Sequence, residues 1–446
     1  MLTKIGAGVL TLIVIVVCVL SAKVHAIDAR VNIDRAVELI EAESFSLARA
    51  YLQPALIDPR ISAAERSRGY YLRGYSFLAQ EMVVSALKDY HRALEFNANN
   101  PTVLLGLGRL YSEGRGTRKN PETGFLFYER AAALGYDRAQ FQVGRAYLFG
   151  QGVAKNVEAA RTAFLQAAKQ EHLLAMLNLA ASYRRGYVAD AQPELALSWY
   201  NKAHVAGAPA ALLSIGFMYA NSELGQPQPE VAVQYYRQAL DAGFVPAAVH
   251  LAYAHLTGEG AAVDVERAKM LYQRAADAAI PAAYLGLGHL YETGAGVNKD
   301  LDLALQWYGK AADVNEPVAF RRLVDIYLAQ EGEAARALAL KWSRRAAQLG
   351  GASAHNTYAW LLATSKSAAL RNGALALDQA NKAVEADSNA AYLDTLAAAH
   401  AELGEFALAI AVQRRAIDAV GDVDGGVKDE LEQRLEAYQR SQPWRE

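Results

Sequence analysis

Tyr111, Tyr147, Tyr183, Tyr219, Tyr291 and Tyr327 fall on one 36-residue grid, and His255 fills the remaining slot. Three residues before each lies Gly108, Gly144, Ala180, Gly216, Ala252, Gly288 or Val324. A second aromatic follows 17 residues after the tyrosine, at Tyr128, Phe164, Tyr200, Tyr236, Tyr272 and Tyr308. An alanine comes three residues later, at Ala131, Ala167, Ala203, Ala239, Ala275 and Ala311. A period of this length means stacked supersecondary units, each covering its neighbour's apolar face. The middle of the chain is therefore expected to be a solenoid, not a globular enzyme core.

The punctuation predicts what each unit is. Pro101, Pro209, Pro281 and Pro317 share one slot, at the expected start of a first helix. Pro121, Pro193 and Pro229 share another, at the start of a second. Proline suits a first turn because that N–H has no helical acceptor. The residue before the second slot is Asn120, Asn156, Gln192, Gln228, Asp264 or Asp300. Asn and Asp there can cap the free N–H groups. Between the two helices stand glycine pairs such as Gly114/Gly116, Gly150/Gly152, Gly258/Gly260 and Gly294/Gly296, which end helices at low cost. A phosphate-binding loop is a poor reading of them, since such a loop follows a strand and occurs once. The frame varies at Gly186, which has no partner glycine, and between Asn221 and Pro229.

Segments such as Leu107-Gly108-x-x-Tyr111-x-x-Gly114-x-Gly116 and Trp307-Tyr308-x-x-Ala311-Ala312 resemble Sel1-like repeats, a 36-residue branch of the tetratricopeptide class. Seven frames span residues 101–351. The resemblance implies an all-α fold, an α/α superhelical solenoid, and adaptor roles in assembling protein complexes, often at membranes. Some bacterial members resemble scaffolds of envelope or exopolysaccharide export. A cysteine-rich branch is linked to β-lactam binding, but its helix-tying cysteines are absent here. Residues 27–100 and 352–426 look like tetratricopeptide-like flanks, carried by Gly74, Phe77, Ala86, Tyr90 and Ala93 and by Leu396, His400, Gly404, Ala409 and Ala416. Residues 427–446 read as a capping helix and tail, with Leu431, Leu435 and Tyr438 on one side.

Residues 1–26 differ from the rest. Lys4 precedes an uncharged apolar run from Ile5 to Leu20, and Val24-His25-Ala26 offers a cleavage site before Ile27. This is the pattern of a secretory signal peptide, which places the mature chain in the periplasm or outside the cell. The alternative is an uncleaved inner-membrane anchor through residues 5–22, near the lower length limit for spanning a bilayer. Cys18 is the sole cysteine and lies in this run, so cleavage leaves no thiol chemistry. Val16-Val17 before Cys18 does not suit a lipoprotein signal.

Charge and composition narrow the function classes. A hydrophobic content of 53% and a charged content of 21% suit an ordered chain. The net charge of −2 gives no reason to expect nucleic-acid binding. No His-Glu-x-x-His run or nucleophile elbow occurs, and the His250/His255 spacing places the two on different helix faces. No catalytic residue, metal site or cofactor is expected. His255 reads as a packing residue, and the acidic side chains as solvated surface groups.

What remains is a binding surface. The resemblance implies that the first helix of each hairpin lines a concave face. Projected on the repeat, that face carries Arg109, Arg138, Phe141, Arg145 and Arg184, then Phe217, Tyr253, His289, Glu292, Arg321 and Asp325. Four arginines in three adjacent frames could hold carboxylates through bidentate hydrogen bonds, with Phe141 and Phe217 as apolar anchors. Two functions follow. One is a non-enzymatic scaffold in the bacterial cell envelope that binds envelope proteins, including acidic segments. The other is an accessory protein for an acidic polysaccharide or peptidoglycan. Solubilising surface arginine is the plainer reading of the same residues.

Overall fold

A computed structural model describes residues 29–186, 191–420 and 425–446. The expected signal segment lies outside them. All regular structure among the described residues is helical, as the repeat implies. The chain divides into two compact units, Met1–Gln228 and Pro229–Glu446.

The first unit opens with the antiparallel hairpins α1 (Ala29–Glu41)/α2 (Phe45–Ile57) and α3 (Ala63–Ala79)/α4 (Val83–Phe96). The repeat hairpins α5 (Pro101–Glu113)/α6 (Pro121–Ala133), α7 (Asp137–Phe149)/α8 (Val157–Ala168) and α9 (Leu173–Arg185)/α10 (Pro193–Val205) follow, then α11 (Ala210–Ala220). The second unit begins with α12 (Pro229–Asp241). It continues as α13 (Ala247–Thr257)/α14 (Val265–Asp277), α15 (Pro281–Thr293)/α16 (Leu301–Asp313) and α17 (Pro317–Leu328)/α18 (Glu333–Leu349). It closes with α19 (Ala352–Thr364)/α20 (Gly373–Ala386), α21 (Ala390–Glu402)/α22 (Phe406–Val420) and α23 (Gly425–Gln439).

The repeat residues have identifiable duties. The second-helix aromatics are buried, and Tyr128, Phe164 and Tyr308 pack closely on the glycine of the paired first helix. A methyl group added at Gly108 would sit 2.5 Å from the Tyr128 ring; at Gly144 and Gly288 it would sit 2.6 Å from Phe164 and Tyr308. The small slot is thus the space the aromatic needs, and close packing leaves no slack there. The grid tyrosine acts through its backbone. The Tyr111, Tyr147 and Tyr183 carbonyls each accept the N–H of the residue just before the next helix (Asn120, Asn156 and Gln192), at 2.9 Å. The His255 carbonyl does the same for Asp264 at 2.9 Å, so the slot tolerates histidine. The buried His255 ring donates from Nδ1 to the Ala262 carbonyl at 3.0 Å, consistent with a packing role.

Asn120, Asn156, Asp264 and Asp300 cap their helices, each side-chain oxygen accepting the N–H three residues on at 2.9–3.0 Å. Gln192, in the same slot, makes no side-chain cap. Asn156→Ala is therefore expected to lower stability by about 1 kcal/mol, and Gln192→Ala to change it little. Urea unfolding of the two variants checks this; equal losses would contradict it. Pro101, Pro281 and Pro317 occupy the first helical position as expected, whereas Pro209 stands just before its helix.

One expectation is corrected. Not all acidic side chains are solvated, since Asp89 and Asp394 are buried. Arg73 of α3 grips both oxygens of Asp89 on α4 at 2.7 Å, tying that hairpin together. Asp394 on α21 is held by Gln413 of α22 and Arg434 of α23. A buried carboxylate needs such partners to offset its lost hydration.

Candidate partner-binding grooves

In the first unit, Arg109 lies in the C-terminal half of α5, and Arg145 lies at the equivalent position of α7, one repeat on. Both are exposed, and both line one groove of about 900 Å³. Its walls include Lys119, Pro121 and Glu122 where α6 begins, and the Gly150-Gln151-Gly152 loop after α7. Ser112, Tyr128 and Gln142 add polar atoms, and Leu105 and Ala146 add apolar ones. Burial raises the Tyr128 hydroxyl above its ordinary value. The Ser112 hydrogen bond and the charges of Arg109 and Arg145 act in the opposite sense, so both guanidinium groups are close enough to be felt at that hydroxyl.

The remaining first-unit candidates are dispersed. Arg138 is exposed at the start of α7, away from this lining, and its charge is felt at Tyr71 and His172. Phe141 is not an exposed anchor, being only 8% accessible. Its ring stacks on His172 at 4.8 Å and packs on Phe164 at 5.8 Å. Arg184 already holds a carboxylate of its own chain, with both oxygens of Glu223 at 2.7 Å from its Nε and Nη2. The half-buried Phe217 ring lies beneath that guanidinium at 5.9 Å. The Arg184–Glu223 bond raises the Arg184 pKa above its ordinary value. Arg184 and Phe217 form an internal clamp, where the sequence suggested partner contacts.

In the second unit, Arg321 and Asp325 share a face of α17 and line a groove of about 660 Å³. Val318, Tyr392 and the Gly350-Gly351-Ala352 turn complete much of its wall. Tyr253, 50% accessible on α13, and the exposed His289 of α15 line neither groove. Glu292 is committed internally, accepting the Tyr308 hydroxyl at 2.6 Å and lying 3.8 Å from Arg322.

A third feature has little signature in the sequence. A cavity of about 220 Å³ beside Trp360 and Leu340 is lined by Glu446. Trp360 Nε1 donates to the Glu446 side-chain carboxylate at 2.7 Å, and the Glu446 N–H donates to the Thr364 carbonyl at 2.8 Å. Arg445 reaches the Ala363 carbonyl at 3.1 Å and pairs with Glu402. The one available signal was Trp444, an aromatic in an otherwise polar tail.

Among the described residues no group of three or more His, Cys, Asp or Glu side chains could hold a metal ion. No described helix is long and apolar enough to cross a membrane.

A family model described as "Sel1 repeat" matches residues 103–136, 137–172, 173–203, 209–244, 245–279, 281–315 and 329–351, just over half of the chain. A solved protective antigen from uropathogenic Escherichia coli strains, displaying an SLR fold, is 20% identical with a TM-score of 0.55. That similarity covers 95% of this chain and 94% of the antigen, and it concerns the fold. A Sel1 repeat protein from Oxalobacter formigenes is 29% identical with a TM-score of 0.49, covering 54% of this chain and 98% of that one. No curated protein matches the sequence.

Proposed function

Because the chain belongs to the Sel1 repeat family, whose members generally mediate protein–protein interaction, we propose that it is a non-enzymatic scaffold of the bacterial cell envelope. Sel1 repeat scaffolds are generally non-catalytic. The observation that carries the reading is the groove between Arg109 and Arg145. The repeat spends its shared residues on packing and caps, and presents its frame-specific side chains there. Open, polar-walled surfaces built from several rigid helices are how solenoids take partners. The envelope location rests on residues 1–26, whose charge, apolar run and cleavage site suit export to the periplasm.

Crosslinked affinity capture of the tagged full-length chain from its native envelope tests this reading. The expected result is a reproducible set of envelope proteins. Capture of the chain alone, together with binding of uronate polymers or wall fragments, would overturn it in favour of an acidic-glycan accessory protein. Capture of cytoplasmic proteins alone would refute the location.

A further inference from the structure

We propose that the Arg109–Arg145 groove recognises side-chain carboxylates of an extended acidic segment in a partner protein. This deepens the scaffold reading and rests on it.

Three cations line the groove, Arg109, Lys119 and Arg145, against two acids, Glu113 and Glu122. Their pairing leaves much donor capacity unused. Arg109 gives Nε to Glu113 at 2.9 Å, and its two terminal nitrogens make no hydrogen bond within the described residues. Arg145 has only Gln142 Oε1, at 3.5 Å, which is the outer limit for such a bond. Lys119 pairs with no carboxylate of the described residues. This differs from Arg184, Arg73 and Arg434, whose guanidinium groups are bound to carboxylates of their own chain. Glu122 belongs to the first turn of α6, where the helix dipole favours a negative charge without a cation. The surplus is therefore positive and set on rigid helices one repeat apart. A guanidinium with free terminal nitrogens binds a carboxylate by two parallel hydrogen bonds, which fixes orientation as well as charge.

The lining also selects the class of partner. Tyr128 is its one aromatic, only 8% accessible and laid against Gly108, so no open ring face is offered for a sugar to stack on. Beside the arginines are the small apolar surfaces of Leu105 and Ala146 and the polar groups of Ser112 and Gln142. These suit a peptide that presents carboxylates at intervals along a chain of otherwise small groups. Uniform attraction to a polyanion would need a broad cationic field, and the chain's net charge of −2 does not provide one.

The test is fluorescence anisotropy of the full chain with a short labelled peptide alternating Asp or Glu with Gly or Ser. Its ends are blocked so that only side-chain carboxylates are charged. A twin carrying Asn and Gln is the control. The acidic peptide is expected to bind at least about tenfold more tightly than the twin, and less tightly as salt rises. Arg109→Gln with Arg145→Gln is expected to weaken it about tenfold or more. Arg138→Gln, outside the groove, should leave affinity unchanged. Circular dichroism melts of the variants establish that they fold alike.

Equal affinity for both peptides, or an Arg109→Gln/Arg145→Gln chain that binds as well as the unsubstituted one, would overturn the proposal. So would binding of polygalacturonate with no binding of the acidic peptide. Envelope capture separates this failure from that of the scaffold reading. Partners retained by the doubly substituted chain would remove this groove and leave the scaffold standing. A lack of partners for the unsubstituted chain would remove the scaffold itself.

Discussion

Arg434→Ala is expected to destabilise the C-terminal helices by about 3–5 kcal/mol. The Arg434 and Asp394 side chains are only 12% and 9% accessible, and Nη1 lies 2.9 Å from Oδ2. The guanidinium also lies over two aromatic rings, 5.0 Å from Trp360 and 5.5 Å from Trp444. Truncation would leave the carboxylate with Gln413 alone, at 2.8 Å. Burial already lifts the Asp394 carboxyl above its ordinary pKa, with Arg434 and Gln413 pulling it back down. Without the arginine the charged form loses its main support, and α23 loses its tie to α21. Replacing both partners, Arg434→Met with Asp394→Leu, should recover much of the loss, because no uncompensated charge remains. Lys382→Ala is the contrast, since its pair with Asp378 is exposed and should contribute little. Urea unfolding followed by hydrogen exchange in α23 reads all three. If Arg434→Ala behaves like Lys382→Ala, the pair does not anchor the helix.

That network shows which part of the molecule was legible beforehand. The hairpins, their caps and their aromatic core follow from residues at fixed offsets, because a solenoid repeats its local physics. Gly108 and Tyr128 are readable as a pair because Gly144/Phe164 and Gly288/Tyr308 repeat it. Long-range pairings that do not recur are invisible to such reasoning. Glu223 lies 39 residues from Arg184, in a turn that departs from the repeat, and it consumes a guanidinium that projection left open. His172 does the same for the face of Phe141. Asp89 and Asp394 looked solvated because their arginine partners belong to neighbouring helices. The tail had no periodicity to read, yet Glu446 lines a cavity, and Glu446 and Arg445 bind helix-end carbonyls. Of the candidate binding residues, Arg109 and Arg145 share a groove because they occupy one slot in adjacent frames.

Gly152→Ala tests the joint between repeats and is expected to destabilise the first unit by roughly 3–4 kcal/mol, against about 1–2 for Gly135→Ala. Both glycines have positive φ, +74° and +84°, so each substitution carries the left-handed cost. They differ in surroundings. A Cβ at Gly135 would meet nothing within 4 Å. At Gly152 it would lie 2.0 Å from the Pro121 carbonyl oxygen, 2.3 Å from its carbon and 2.8 Å from the Glu122 nitrogen. These are backbone atoms, which cannot rotate away as a side chain could. Gly260 stands the same way against Pro229, at 2.2 Å. The two glycines of each pair therefore differ in duty. The first ends a helix; the second lets the loop rest on the preceding repeat's second helix. Pro121, Glu122 and Gly152 also wall the Arg109–Arg145 groove, so displacing the loop should widen it. Gly152→Ala is accordingly expected to weaken acidic-peptide binding at temperatures where the variant remains folded, and Gly135→Ala to leave it unchanged. Equal urea midpoints for the two variants would show that the close approach at Gly152 does not hold the repeats together.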